Sequence, residues 1–431
     1  MADLRKNISS TSAIQIFNIA RYATLLLCSI LLTKSAIGAE VIGHYETFIL
    51  ISGTLSFFWV NGLTHTFLST YHNYPDKKKV IGQTAILVIG LSICIALLIL
   101  LLRAPIVQLF SFDDSGNVFY LLLAYFIFNN SSFLLDYILL AKGNTKGLLW
   151  LGVYHVIFQT TLVVLPAFYY GNFDAIINGL LIFIGIKFLI TIFILFRNSA
   201  FRPDFAFIGM YLKKASPLII SFFLGGMSIY VDGIIVNNYY DKATFALYQY
   251  GAREFPISLL LANALSAAMI LQIGKNINAV AVVKSESLKL MHRLFPLCIV
   301  LIMLSQWLYP LVFNPAFSES YLFFNIYMLL LVPRLIFPNA ILLGLGENKS
   351  IMSASAIEFV LNIVGSLIFL QFFGIQGIAY GTVLAFVSNK LILLYQLKRR
   401  GISPQSYIPV KALTAYSVGL ILVFVVFTYF V

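Results

Sequence analysis

The sequence predicts an all-α polytopic membrane protein, built from membrane-spanning helices joined by short connections. Two observations of composition lead to this prediction: 60% of the 431 residues are hydrophobic and only 10% are charged, and the mean hydropathy is +0.94. A soluble domain carries about 25% charged residues, so this chain lacks the polar surface that folding in water requires. The third observation is that apolar segments of roughly 20 residues, the length that crosses a bilayer as a helix, recur along the chain.

About thirteen segments are long and apolar enough to be spans, and each is predicted to be helical because no backbone amide can stay unsatisfied in lipid. They lie near residues 12–33, 41–70, 80–102, 118–141, 147–170, 173–196, 215–238, 243–272, 290–312, 320–345, 350–373, 375–397 and 412–431. No connection between them is long enough to fold as a domain.

The basic residues of the connections predict the orientation. With the N-terminus in the cytoplasm, twenty lysines and arginines fall in cytoplasmic segments and three in outside loops. Such an excess is typical of cytoplasmic loops. It also accounts for the net charge of +12 without a nucleic-acid partner.

The chain contains an internal repeat at an offset of 203 residues. The segment LLAKGNTK at 139–146 aligns with LLGLGENK at 342–349, and Lys187 aligns with Lys390. Because each unit has six spans, both units enter the membrane in the same direction, which predicts two pseudo-symmetric lobes about an axis along the membrane normal. The predicted divisions are an N-lobe at 1–196, a cytoplasmic inter-lobe linker at 197–214, a C-lobe at 215–397, and a basic loop with an extra span at 398–431.

Five basic residues lie within the predicted spans: Arg21, Lys187, Arg253, Arg334 and Lys390. Arg21 and Arg253 lie ~14–15 Å from the ends of their spans, near the midplane. A charge at that depth is costly, so a cationic cavity for an anionic substrate is the functional interpretation. For Arg21 and Arg253 the alternative is an interhelical ion pair, for instance of Arg253 with Glu254. For the two lysines it is a side chain that reaches towards the interface.

Acidic and amide groups within the spans are candidates for ion coupling. Asp232 lies in the glycine-rich segment GGMSIYVDG, and Glu358 and Asn362 lie one turn apart on one helix face. A carboxylate and an amide at that spacing can coordinate Na⁺, and Glu358 alone can carry a proton. The alternative is a polar pair that only joins helices.

Several loose motifs, in their order and spacing, resemble those of the multidrug/oligosaccharidyl-lipid/polysaccharide flippase superfamily. They are Gly43-His44-Tyr45 at the start of span two, the turns AKGNTK and GLGENK, and GIQGIAYGT at 374–382. Within that superfamily the chain is most similar to the oligosaccharide flippases of the O-antigen type. The resemblance implies a V-shaped fold of two lobes, as in MATE transporters, and a lipid-linked, diphosphate-bearing glycan as substrate.

The resemblance also implies site residues. Arg21 and Arg253 match the cationic cavity of such proteins, and Asp232, Glu358, Asn362 and Thr382 match the region where sodium-binding relatives hold the ion. A thirteenth span is a departure, since relatives commonly have twelve or fourteen.

The expected function is therefore a flippase of the bacterial cytoplasmic membrane that serves surface polysaccharide biosynthesis, with no catalytic residues and no cofactor apart from a coupling Na⁺ or H⁺. Its expected partners are the lipid-linked oligosaccharide, membrane lipid and other polysaccharide-assembly membrane proteins. The alternative is a multidrug or small-cation exporter of the same fold. A membrane glycosyltransferase or polymerase is less favoured, because the chain has neither a large external loop nor a carboxylate cluster at the interface.

Overall fold

A computed structural model of the chain describes residues 10–199, 201–253, 256–276 and 280–430. All regular structure in these ranges is helical. Among the described residues, twelve helical segments are long and apolar enough to cross a membrane, and the bent pair Ser320–Arg334 and Pro338–Gly344 counts as a thirteenth if it forms one span. The predicted all-α polytopic fold is confirmed.

The helices form two compact units, which divide after Phe223, and the short segment Asp241–Ala243 groups with the first unit. A π-helical turn, His155–Gln159, lies between two helices of the first unit, Thr145–Tyr154 and Thr160–Tyr170. The helices that begin in the first unit are α1 Ser10–Lys34, α2 Ala39–Asn73, α3 Lys77–Leu101, α4 Arg103–Leu109, α5 Val118–Ala141, α6 Thr145–Tyr154, α7 Thr160–Tyr170, α8 Phe173–Asn198 and α9 Phe205–Gly226.

The second unit contains shorter pieces as well as full spans. Its helices are α10 Ser228–Tyr239, α11 Lys242–Gly251, α12 Pro256–Lys275, α13 Val280–Val312, α14 Ser320–Met328, α15 Leu331–Arg334, α16 Pro338–Gly344, α17 Asn348–Phe373, α18 Ile375–Arg399, α19 Pro404–Tyr407 and α20 Val410–Tyr429. A 3₁₀ turn, Pro315–Phe317, lies between α13 and α14.

The two repeated turns fold alike. Gly143 and Gly346 both have positive φ angles, +64° and +78°. In each turn the next backbone nitrogen donates to the carbonyl five residues back, to Leu139 at 2.9 Å and to Leu342 at 2.8 Å. This is the Schellman pattern of a helix end, in which a glycine adopts the left-handed conformation without a Cβ clash. The internal repeat is therefore visible in the backbone of both units.

The predicted linker at 197–214 is largely helical, because α9 begins at Phe205. The Asp204 side chain accepts a hydrogen bond from the Phe207 nitrogen at 3.0 Å and caps the helix. The residues just before α9 hydrogen-bond to Gln83, a buried residue on α3. Gln83 Nε2 donates to the Arg202 carbonyl at 2.6 Å, and Gln83 Oε1 accepts a hydrogen bond from the Asp204 nitrogen at 3.0 Å. The sequence does not show where this helix begins, because a polar capping residue such as Asp204 looks like a polar residue of a connection.

Three predicted spans are interrupted. The segment 215–238 breaks at Met227, between α9 and α10, and 243–272 breaks after Gly251, where Ala252 and Arg253 are not helical. The segment 320–345 breaks after Arg334, with a 43° bend between Ser320–Arg334 and Pro338–Gly344. Pro338 cannot donate a backbone hydrogen bond and disfavours the helical conformation of the residue before it, which ends the preceding helix.

Candidate functional site

In the first unit one carboxylate lies between two cations. Asp136 on α5 forms an ion pair with Lys187 on α8 at 2.9 Å and a longer one with Arg21 on α1 at 3.6 Å. The side chains of Asp136 and Lys187 are only 6% and 4% exposed, whereas that of Arg21 is 34% exposed. Lys187 is therefore buried against Asp136, whereas part of the Arg21 side chain is accessible.

Aromatic rings line these two cations. The ring of Phe133 lies 5.3 Å from the Arg21 guanidinium carbon and 5.7 Å from Lys187 Nζ. A second ring, that of Phe17, lies 5.6 Å from the same Arg21 atom. Cation–π contacts of this kind stabilise desolvated charges, so the aromatic residues replace part of the water that the cations lose.

The π-helical turn supplies a neutral polar pair beside this cluster. His155 Nδ1 and Gln159 Oε1 are 3.2 Å apart, and both side chains are buried. Residues four apart in sequence lie on one face of a helix, and here both side chains of that face are buried. In the second unit the aligned residues are Glu358 and Asn362, and Asn362 hydrogen-bonds to Asp232 and Thr382 instead.

The second unit holds a carboxylate that is surrounded by neutral donors. Asp232 on α10 is 3% exposed. The hydroxyl of Tyr327 on α14 donates to its Oδ2 at 2.5 Å, and that of Tyr248 on α11 does so at 3.4 Å. The Thr382 hydroxyl on α18 donates to the same oxygen, and Asn362 Nδ2 on α17 donates to Oδ1 at 3.3 Å. Five helices therefore converge on one carboxylate.

Every side chain that hydrogen-bonds to Asp232 in the described part of the chain is neutral. Asn362 Nδ2 also donates to Thr382 Oγ1 at 2.7 Å, which ties two of the donors together. The Oδ1 atom of Asn362 is buried and accepts no hydrogen bond from the described residues. A buried carboxylate without a charged partner is costly, so this arrangement favours a neutralising cation or proton.

The oxygen atoms in this cluster match a hard cation better than a transition metal. Carboxylate, amide and hydroxyl oxygens suit ions of that kind, whereas zinc and copper favour sulfur and imidazole. Across the described ranges, no group of three histidine, cysteine, aspartate or glutamate side chains could hold a metal ion.

Glu358 does not join the Asp232 cluster, although the sequence places it one turn from Asn362. Its electrostatic neighbours are Lys390 and Arg334, and both cations also lie over the Phe386 ring, at 5.2 and 5.3 Å. The expected pairing of Glu358 with Asn362 is thus replaced by attraction to two basic residues, because opposite charges attract strongly where water is scarce.

Arg253 lies in the non-helical connection before α12. Its guanidinium carbon is 4.6 Å from the centre of the Tyr250 ring, and the side chain is half-buried. Glu254, the alternative partner considered for it, lies outside the described residues. Discontinuous helices form binding sites in many transporters; the substrate role of Arg253 stays a prediction.

Sequence reasoning missed three residues of these clusters. Asp136 is an acid within an apolar span, and that signal was sufficient to find it. Tyr248 aligns with Tyr45 in the internal repeat, but nothing in the sequence distinguishes it or Tyr327 from the other tyrosines. Their convergence on Asp232 depends on how the helices pack.

A solved structure with the same arrangement of helices is the lipid II flippase MurJ in an inward closed conformation. It matches with a TM-score of 0.71 and 18% identity, over 96% of this chain and 93% of that chain. The chain has the fold of the MOP-superfamily transporters. With its apolar spans, this fold makes it a multi-pass membrane protein.

Multidrug transporters share the MOP fold. An inward-facing MATE family transporter of the MOP superfamily matches with a TM-score of 0.65 and 13% identity, over 94% of this chain and 99% of that one. A Vibrio cholerae MATE transporter matches with a TM-score of 0.59 and 16% identity, over 91% and 99%. No protein-family model and no curated protein matches the sequence.

Proposed function

We propose that this protein is a flippase that carries a polyprenyl-diphosphate-linked oligosaccharide across the cytoplasmic membrane by alternating access. The supporting observation is the sign of the accessible charge within the membrane helices. The carboxylates of Glu46, Asp136 and Asp232 are at most 6% exposed, whereas the arginines at 21, 253 and 334 keep part of their surface accessible. Guanidinium groups bind phosphate oxygens in a bidentate manner, so accessible arginines suit a diphosphate.

In this proposal Arg21 and Lys187 have different tasks. The 3.6 Å contact of Arg21 with Asp136 is loose enough for a phosphate to replace the carboxylate. Lys187 keeps its 2.9 Å contact and neutralises Asp136 after the exchange. The polyprenyl tail stays in lipid, and a population shift between two conformations exposes the head group to the other side.

An exporter of cationic drugs is the second candidate, because multidrug transporters share the fold. Such a substrate needs an accessible carboxylate within the membrane. Among Glu46, Asp136, Asp232 and Glu358, Glu358 alone is half-buried, and it interacts electrostatically with two cations, Lys390 and Arg334. This charge distribution favours the anionic substrate.

Reconstitution into liposomes tests the proposal. The purified protein is expected to expose a lipid-linked oligosaccharide, added to one leaflet, to a glycosidase on the other side. Arg21→Ala and Arg253→Ala should each slow this translocation about 10- to 100-fold, since hydrogen bonds to charged groups contribute about 1.5–3 kcal/mol. Lys289→Ala, at a lysine side chain 63% exposed, is the control. Efflux of a cationic dye with no glycan translocation would overturn the proposal.

We further propose that the Asp232 cluster binds the coupling ion, for which Na⁺ fits the oxygen atoms best. Turning the Asn362 amide by 180° would bring its Oδ1 beside Asp232 and Thr382, and amide orientations of this kind are assigned from hydrogen bonds alone. Carboxylate, amide and hydroxyl oxygens would then face one ion. Protonation of Asp232 is the alternative, since it would also remove the uncompensated charge.

Binding of ²²Na⁺ to the purified protein tests the ion site. Asp232→Asn should abolish saturable binding. Glu358→Gln, one helical turn from Asn362, should keep it because Glu358 interacts electrostatically with Lys390 and Arg334 instead. Equal loss in both variants would contradict this assignment. Translocation that depends on a pH gradient but not on Na⁺ would assign the site to a proton.

A further inference from the structure

The helix left over by the two-lobe repeat, α20, packs along the second unit. Near its first half, Tyr416 shares a hydrogen bond of 2.6 Å with His292 Nδ1 and stacks on Phe295 with ring centres 5.1 Å apart. Both partners belong to α13. This half of α20 therefore attaches to a helix that contributes no side chain to the Asp232 cluster.

The last turn of α20 contacts two other helices. Thr428 Oγ1 accepts a hydrogen bond from Asn325 Nδ2 on α14 at 3.1 Å, and both residues are buried. The neighbouring Tyr429 shares a hydroxyl–hydroxyl hydrogen bond with Tyr380 on α18. These contacts join α14 and α18 through α20.

The two residues that hydrogen-bond to the last turn of α20 lie two positions earlier in the sequence than donors to Asp232. Asn325 precedes Tyr327 on α14, and Tyr380 precedes Thr382 on α18. Two residues correspond to about 200° around a helix with 3.6 residues per turn. The last turn of α20 therefore holds the faces of α14 and α18 that lie opposite the faces presented to Asp232.

The first unit has neither the carboxylate nor the donors Tyr327 and Thr382 at the aligned positions, although Tyr45 and Gln159 align with Tyr248 and Asn362. At the 203-residue offset, Asp232 aligns with Ser29, Tyr327 with Ala124 and Thr382 with Gly179. The extra helix likewise follows only the second repeat. Asp232, Tyr327 and Thr382, and the helix that contacts α14 and α18 on their opposite faces, thus occur together in one half of the chain.

We propose that Thr428 and Tyr429 are positioning residues for the Asp232 cation site: through Asn325 and Tyr380 they fix where Tyr327 and Thr382 stand relative to the carboxylate. This rests on the ion site proposed above. Neither positioning residue touches the ion. Their loss should weaken binding by loosening the donors while every ligand remains in the chain.

Cation affinity of the purified full chain tests this inference. Thr428→Val and Tyr429→Phe remove the hydroxyls at nearly constant volume, and each should raise the Na⁺ dissociation constant about fivefold, the effect of one typical hydrogen bond. The matched control is Tyr416→Phe, which removes a hydroxyl from the same helix but away from the gripped residues. It should leave the dissociation constant unchanged. If wild type binds only protons, the titration midpoint of the Asp232 carboxyl replaces the dissociation constant.

The thermal midpoint of each variant separates positioning from general stability. Lower midpoints in all three variants with unchanged affinity would overturn the inference, because α20 would then only stabilise the fold. Equal loss of affinity in Tyr416→Phe would overturn it as well. A further outcome is that wild type and Asp232→Asn bind Na⁺ equally well and bind protons equally well. In that outcome the proposed ion site is wrong, and the inference falls with it. Normal binding by wild type and by both last-turn variants refutes the inference alone.

Discussion

Replacing Lys187 by methionine should be among the most destabilising changes in the first unit. Methionine keeps the length and apolar stem of lysine but leaves the Asp136 carboxylate without its nearer cation. At an effective dielectric constant of 20, the 2.9 Å contact with Lys187 corresponds to about 6 kcal/mol of Coulomb attraction, and the 3.6 Å contact with Arg21 to about 5 kcal/mol, before desolvation is subtracted. Arg21 therefore compensates in part.

The net loss in free energy of unfolding for Lys187→Met depends on the burial of both Lys187 and Asp136. Removing one member of a buried pair typically costs about 3–5 kcal/mol, because the other charge is left uncompensated. With Arg21 still close to Asp136, we expect the lower end, about 3 kcal/mol, for Lys187→Met. Asp136→Asn should cost more, since it leaves two cations facing each other. The double variant should regain much of the loss, because no carboxylate remains to be neutralised.

A double-mutant cycle in detergent, with unfolding followed by circular dichroism in a denaturant titration, measures this coupling. The control is the exposed ion pair of Lys289 and Glu286, whose charged atoms are 2.6 Å apart. Exposed pairs on one helix typically give a coupling energy of at most about 0.5 kcal/mol. Additive effects of Asp136→Asn and Lys187→Met, with a coupling no larger than that control, would refute the picture of a shared buried carboxylate.

Three further predictions concern other parts of the chain. Gly143→Ala should lower the free energy of unfolding by about 1 kcal/mol, measured by thermal melts, because its φ of +64° strains any residue with a Cβ. Hydrogen bonds from Lys79 and from backbone nitrogens lower the pKa of Asp204. Ionised Asp204 therefore stabilises the fold at pH values above its ordinary pKa, and this contribution is lost as the pH falls through the lowered pKa. Asp204→Asn, which keeps a capping group, should reduce the melting temperature at neutral pH but not near pH 2. Tyr327→Phe should weaken Na⁺ binding roughly tenfold by removing a 2.5 Å donor to Asp232; unchanged ²²Na⁺ affinity would contradict that role.

Sequence reasoning found part of each cluster because polar residues within apolar spans are conspicuous. The structure brings together Asp232, Asn362 and Thr382, three of the four candidates for ion coupling, and separates Glu358 from them. The spacing of Glu358 and Asn362 established that they share one face of a helix, but a helix face of that width can contact two neighbours. Which neighbour each side chain meets depends on helix packing.

The sequence by itself determined the membrane class, the apolar segments long enough to span a bilayer, the internal repeat and the identity of the charges that the lipid would otherwise exclude. These follow from composition and local periodicity, because a bilayer requires every span to satisfy its own backbone. Only the tertiary structure decided that Asp136 neutralises Lys187 and contacts Arg21, that two tyrosines complete the Asp232 cluster, and that α20 grips the helices behind it. Such contacts join residues up to about 150 positions apart, as between Asp232 and Thr382, and local sequence carries no information on which helices will meet.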